Sequence, residues 1–161
     1  MAAGAVLRRY RCRAMAATSE FERAVTDRLA QHELRYTPGR RAIVSALRAA
    51  DGPVTLPELL ERAGDLPQSS AYRNLAAMED AGVVRRLVHG GDHAHFELAE
   101  ELTEHHHHLI CEECGSVTDF TLDHDVELSL DTVFARVARD AGVKVTSHTV
   151  DVFGICSDCS R

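Results

Sequence analysis

No stretch of this 161-residue chain is apolar and long enough to span a bilayer, and its first residues lack the apolar run of a secretory signal. These absences argue against a membrane partner and lead to the expectation of a cytoplasmic protein. No internal repeat or low-complexity segment occurs apart from one run of histidines. Cysteine is scarce: five residues, four of them in two Cys-x-x-Cys pairs, Cys111/Cys114 and Cys156/Cys159. In a reducing compartment such pairs point to metal before they point to disulfides.

Positive charge is scarce overall, with a formal net charge of −7, but the deficit is unevenly spread. Residues 1–98 carry 14 Arg against 12 Asp and Glu, whereas residues 99–161 carry 4 Lys and Arg against 13 Asp and Glu. Every histidine except His32 lies at or beyond His89. An Arg-rich half followed by an acidic, ligand-rich half implies two domains with different partners.

Residues 1–18 read as a disordered extension without a helix cap. Helical periodicity starts at Thr18 or Ser19 and runs to about Glu33, with Phe21, Val25 and Leu29 on one face. Thr37-Pro38 opens a second helix and Thr55 caps a short third one, ahead of the turn Gly64-Asp65-Leu66-Pro67. A fourth helix begins at Gln68 or Ser69, its apolar positions Ala71, Leu75 and Met78. Two β segments, 83–88 and 94–98, flank the turn signal Gly90-Gly91-Asp92. Helices followed by a hairpin make a winged helix-turn-helix over residues 19–98, with the fourth helix in position to enter a DNA major groove. Gln68, Ser69, Ser70, Tyr72, Arg73 and Asn74 on that helix can donate to phosphates and base edges.

Residues 99–104 read as a hinge. In 105–161, strands at 105–110 and 116–120 flank the first cysteine pair, an amphipathic helix covers 128–141, and a strand over 143–153 leads into the second pair. The expected class is therefore α+β: a winged helix plus a C-terminal α/β domain.

Four thiolates fill a tetrahedral zinc site and leave no position for water, so this site is structural and hydrolytic chemistry is not expected there. An enzyme would need an open metal position with a base, or an exposed low-pKa thiolate; none is expected. The four consecutive histidines 105–108 exceed what one structural ion can use. On a strand they alternate, His106 and His108 to one face, His105 and His107 to the other, so one strand can feed two sites. Further candidate ligands are His93, His95 and Glu97 alternating on the hairpin, Asp119, Glu127, Asp131 and His148. Such a set suits zinc, iron, manganese or nickel alike.

The segments Arg35-Tyr36-Thr37-Pro38-Gly39-Arg40-Arg41, Ser70-Ala71-Tyr72-Arg73-Asn74-Leu75, Gly82-Val83-Val84-Arg85-Arg86, Phe96-Glu97-Leu98, His105–Cys114 and Cys156–Cys159 occur in an order that resembles the ferric-uptake-regulator superfamily over residues 20–160. The ending, Ser147 to Cys159, is most similar to its zinc-uptake branch. The resemblance implies a homodimeric, metal-activated repressor of operator DNA, with the C-terminal domain serving dimerisation. It implies that Arg35 reaches the minor groove, that Tyr72 and Arg73 lie in the recognition helix, and that Arg40 also meets the DNA. It also implies a hinge sensing site of Glu97, His106, His108 and Asp119, and a second site of His105, His107, His148 and either Asp131 or Glu127. The pattern departs from the family at Arg85, where a hinge Asp is expected. It departs again at Gly52-Pro53, where many iron and peroxide sensors carry a histidine.

Overall fold

The computed structural model describes residues 16–88 and 94–161, with side chains from residue 20 onward. Cys12, His93 and the turn at 90–92 lie outside the described residues.

Helix α1 (Ala16–Gln31) starts inside what the sequence suggested was an extension, so Thr18 and Ser19 belong to its first turn and not to its cap. It buries Val25 and Leu29 completely. Helix α2 (Pro38–Arg48) begins as read: Thr37 Oγ1 accepts from the Arg40 backbone N–H at 3.5 Å, and Pro38 stands where no N–H is needed. Ile43, Val44 and Leu47 face inward.

A two-residue strand β1 (Val54–Thr55), too short to register as a period in the sequence, precedes α3 (Leu56–Ala63). The backbone N–H and hydroxyl of Thr55 both donate to the Glu58 carboxylate, at 2.7 and 2.8 Å, and this pins the helix start. Helix α4 (Gln68–Asp80) buries Ala71, Leu75 and Met78. It ends where Gly82 takes a φ of +65°, a conformation that penalises any side chain, and Val83 N–H reaches back to the Met78 carbonyl at 2.8 Å.

Strands β2 (Val84–Leu87) and β3 (His95–Leu98) pair antiparallel, and β1 closes the other edge of β3. Leu29, Ile43, Leu59, Leu75 and Met78 form the fully buried centre of this half. Each contributes roughly 1.5–3 kcal/mol of apolar burial.

A single 3-10 turn, Glu100–Leu102, connects to the second half. There β4 (His107–Cys111) is central, antiparallel to β5 (Val117–Phe120) and parallel to β6 (Asp151–Gly154). Helix α5 (His124–Asp140) begins four residues earlier than its amphipathic pattern suggested. The long strand expected over 143–153 is reduced to β6; residues 143–150 carry no regular structure, and His148 lies in that approach.

Among the described residues beyond Ala99, only Ile110 and Cys111 are buried apolar groups. Helix α5 has no buried residue, and Val126, Leu128, Val133 and Val137 on it stay exposed, as do Val152 and Ile155 around β6. A half with so little core in one chain needs metal, a second copy, or both. No helix among the described residues is long and apolar enough to cross a membrane.

Candidate metal centres and nucleic-acid interface

Three groups of potential ligands have their donor atoms within 4.8 Å of one another. The first is Cys111, Cys114, Cys156 and Cys159. The strand β4 delivers Cys111, and a tight turn returns the chain through Gly115, whose φ of +72° is the left-handed geometry glycine tolerates. Parallel β6 brings Cys156 alongside, and its N–H donates to Cys111 Sγ at 3.4 Å. Cys114 and Cys156 sulfurs are 3.8 Å apart, nearly twice a disulfide length and close to the edge of a tetrahedron with ~2.3 Å metal–sulfur bonds (about 3.8 Å). Backbone N–H groups of Cys114 and Cys156 pull the Cys111 thiol down to about 6, whereas the neighbouring sulfurs, Cys156 and Cys114 foremost, push Cys159 up to about 12. Four thiols crowded this closely cannot all ionise without a cation between them.

The second group is Glu97, His106, His108 and Asp119. Glu97 comes from β3 of the wing; the other three come from β4, its approach and β5. Glu97 Oε2 is 3.2 Å from Nε2 of both histidines, and His108 Nε2 is 3.9 Å from Asp119 Oδ1. A tetrahedral ion with ~2.0 Å bonds needs ligand separations of about 3.3 Å. The far nitrogens are occupied: His106 Nδ1 meets the Glu104 carbonyl at 2.9 Å and His108 Nδ1 meets Asp151 Oδ1 at 3.1 Å. That arrangement turns both Nε2 atoms toward the centre, as metal-binding histidines require.

Burial disfavours charge on Glu97, but hydrogen bonds from His106 and His108 outweigh it and hold the carboxyl down to about 2. Glu97 in turn lifts His106 to about 9. Burial opposes charge on His108 too, yet Glu97 and Asp151 raise it. Burial pushes Asp119 up to about 6.

The third group is His105, His107, Glu127 and His148. Glu127 Oε1 is 3.0 Å from His107 Nε2, and its Oε2 lies 3.6 and 3.4 Å from Nε2 of His105 and His148. The sequence left Glu127 and Asp131 as alternatives. With α5 starting at His124, Glu127 occupies the first turn and faces the cluster, while Asp131 sits one turn on and takes the outer Nδ1 of His148 at 3.3 Å. Glu100 occupies Nδ1 of His105. Burial lowers His107 and disfavours the charged carboxylate of Glu127, but His107 overrides the latter and keeps Glu127 low.

A test of fit comes from buried polar atoms that lack a hydrogen-bond partner. Asp119 Oδ1, His105 Nε2, Glu127 Oε2 and His148 Nε2 belong to the two histidine clusters. Orphaned acceptors cost free energy unless something satisfies them, and divalent cations do so. The residues fit the metals that the sequence suggested.

His95 is the exception among the suggested ligands. It pairs across from Thr55 and Leu87 and lies within electrostatic reach of Glu58 on α3. It shares the face of Glu97, but its ring is not among the donors gathered within 4.8 Å of one another. Asp151, which the sequence reading missed, is brought opposite His108 by the β4–β6 register; only the parallel pairing reveals it.

On α4, Gln68, Ser69, Tyr72 and Arg73 are exposed, Tyr72 at 56 %, and Ser70 and Asn74 are half-buried. Arg73 donates to Ser70 Oγ at 3.4 Å. Arg35 is exposed, and Arg40, in the first turn of α2, donates to its backbone carbonyl at 2.6 Å.

A winged helix joined through a metal-ligand cluster to a sheet held by four cysteines defines a DNA-binding metalloregulator. The sequence profile of the Ferric uptake regulator family matches residues 31–153, and the chain belongs to that family, one of regulators and not of enzymes. Among relatives, the peroxide-responsive repressor PerR of Staphylococcus saprophyticus is 31% identical over 144 residues, covering 87% of this chain and 91% of its own. The ferric uptake regulator Fur of Helicobacter pylori shares the fold, with a TM-score of 0.68 at 24% identity over 94% of this chain and 98% of that one. The ferric uptake regulator of Pseudomonas aeruginosa with manganese gives a TM-score of 0.62 at 26% identity, covering 89% and 99%.

Proposed function

We propose that this metalloregulator is a zinc-responsive repressor that binds operator DNA as a homodimer in the cytoplasm and controls genes of metal uptake or homeostasis. The observation that supports it is the split origin of the hinge cluster: Glu97 belongs to the wing, whereas His106, His108 and Asp119 belong to the second half. A divalent ion held there supplies a cross-link between the halves. The wing and α4 then keep one orientation relative to the dimer, and the two recognition helices take the spacing that successive major grooves demand. Shifting such an equilibrium from 1:99 to 99:1 takes about 5.5 kcal/mol of differential binding. That is well within the ~10–16 kcal/mol available to a structural zinc site.

In this reading residues 19–98 form the DNA-binding domain, 99–104 the hinge and 105–161 the dimerisation domain. The four-cysteine group holds structural zinc, and Glu97, His106, His108 and Asp119 are the sensing ligands. His105, His107, Glu127 and His148 form a second site, with Asp131 supporting it. Arg35, Arg40, Gln68, Ser69, Ser70, Tyr72, Arg73 and Asn74 meet the DNA. The exposed apolar residues of α5 and β6 give a second copy a surface to cover. Zinc is preferred over ferrous iron, manganese or nickel because the ending, Ser147 to Cys159, is most similar to the zinc-uptake branch.

The test is DNA-binding anisotropy on a selected operator, titrating buffered free metal with the four-cysteine group already filled. Switching at low free zinc supports the reading; switching only by iron, manganese or nickel moves the protein to another sensor class. A second reading, peroxide sensing through bound iron, is favoured by the 31% identity to a peroxide-responsive repressor. Loss of operator binding on peroxide treatment of the iron-loaded protein, with zinc inert, would select it.

A further inference from the structure

Arg85 and Glu97 are direct partners across the β2–β3 ladder, so their side chains leave the sheet on the same face. The two oxygens of Glu97 then part company. Oε2 is 3.2 Å from both hinge histidines, whereas Oε1, buried and without a hydrogen bond, has Arg85 Nη1 at 3.7 Å. The other arm of the same guanidinium donates to Thr149 Oγ1 at 3.4 Å, on the segment leading into β6. Arg85 thus stands at the edge of the cluster, anchored to the second half, with its charge directed at the oxygen that does not face the histidines.

On the opposite side, Gly52 approaches Asp119: a β-carbon there would lie 3.5 Å from Asp119 Oδ1. Among the described residues, no fifth His, Cys, Asp or Glu joins the four.

We propose that Arg85 is a specificity-determining positioning residue: by engaging Oε1 it makes Glu97 a one-oxygen ligand and holds the hinge site to four protein donors. A carboxylate can chelate through both oxygens, which raises coordination number and favours ions that prefer five or six oxygen-rich contacts. A neighbouring guanidinium removes that option by occupying the second oxygen electrostatically. Two histidines, one oxygen of Glu97 and the Asp119 carboxylate make a donor set that suits zinc and cobalt over manganese. The inference rests on the hinge cluster being the sensing site.

Cobalt is the probe, because tetrahedral Co(II) gives intense visible bands and five- or six-coordinate Co(II) weak ones. The full chain, its four-cysteine group filled with zinc, is titrated with Co(II), and the signal lost in His106→Ala is assigned to the hinge. In Arg85→Ala the hinge bands should weaken, and manganese affinity relative to zinc should rise about 10- to 100-fold, the range expected of groups that support ligands. Arg85→Lys, which keeps the charge beside Oε1, should restore the intense bands. Arg85→Gln serves in place of the alanine variant should that one not fold.

Unchanged bands and an unchanged zinc-to-manganese ratio in Arg85→Ala or Arg85→Gln would overturn the inference while leaving the sensing site intact. No signal lost in His106→Ala would instead remove the sensing site itself, and the inference with it. A merely structural role for Arg85 would lower stability without moving either readout.

Discussion

Glu97 Oε2 lies 3.2 Å from His108 Nε2, although the first residue belongs to the wing and the second to the C-terminal sheet. Both side chains are nearly inaccessible, Glu97 at 7% and His108 at 0%. The contact is therefore a buried link between the two halves.

Removing a ligand from that joint should uncouple metal from DNA. In His106→Ala, operator affinity should lose its metal response, a coupling of about 5- to 150-fold in typical regulators. The dimer should remain folded, because His106 is not part of either core. Anisotropy with and without zinc measures the first, and sedimentation the second; a variant that still responds fully to zinc counts against the hinge mechanism.

The cysteine group should behave differently. Cys111→Ser removes one of four thiolates from the half of the molecule with almost no apolar core of its own. Elemental analysis should find one zinc fewer per chain, and thermal unfolding of the C-terminal half should shift down by many degrees or lose cooperativity. A stable zinc-free dimer would contradict the structural role.

The cluster at α5 offers a graded comparison. Glu127→Gln replaces the carboxylate that faces His105, His107 and His148, whereas Asp131→Asn alters a group touching only the outer nitrogen of His148. Metal titrations should find one site abolished or weakened about 100-fold in the first and about tenfold in the second. A larger effect of Asp131→Asn than of Glu127→Gln would mean that Asp131, and not Glu127, carries the ion.

Dimerisation can be tested on α5. Val133 and Val137 are exposed at 42% and 59% in one chain. If a second copy covers them, Val137→Asp buries an unpaired charge and should weaken association by several kcal/mol. Light scattering at micromolar concentration should then report a monomer. An unaffected dimer would shift the interface elsewhere.

The start of α3 carries a pH signature. Burial alone would raise the Glu58 carboxyl, but the N–H and hydroxyl of Thr55 overcome it and lower it. A depressed folded value means the contribution is present above the ordinary carboxylate range and is lost as pH falls through the lowered one. Glu58→Gln should flatten that acid limb, and Thr55→Ala should cost about 1 kcal/mol at neutral pH. Urea unfolding at pH 7 and at pH 3.5 distinguishes the two.

Much of this was legible before any coordinates. Period-two alternation alone sorts His106 and His108 from His105 and His107, and the β4 geometry keeps them apart in that way. Thr37, Thr55 and the run Ala71, Leu75, Met78 declare their helices because caps and helical periodicity are local properties. The misreadings share another cause. Strand β1 is two residues long, and residues 143–150 alternate in type without pairing, so neither announces its state through periodicity. His95 alternates correctly with Glu97 yet its ring does not join the cluster and lies within electrostatic reach of Glu58.

By itself, the sequence determined which side chains can bind metal, which strand faces they leave from, and which helix carries an exposed polar face. These follow from residue chemistry and from repeats of 2 and 3.6 residues, which need no partner. Tertiary structure alone decided that Glu127 and not Asp131 faces the histidines, that Asp151 backs His108, and that Arg85 stands against the second oxygen of Glu97. Those choices depend on where α5 begins, on the β4–β6 register and on the β2–β3 pairing. Each is fixed by contacts between residues far apart in the chain, and no local pattern records them.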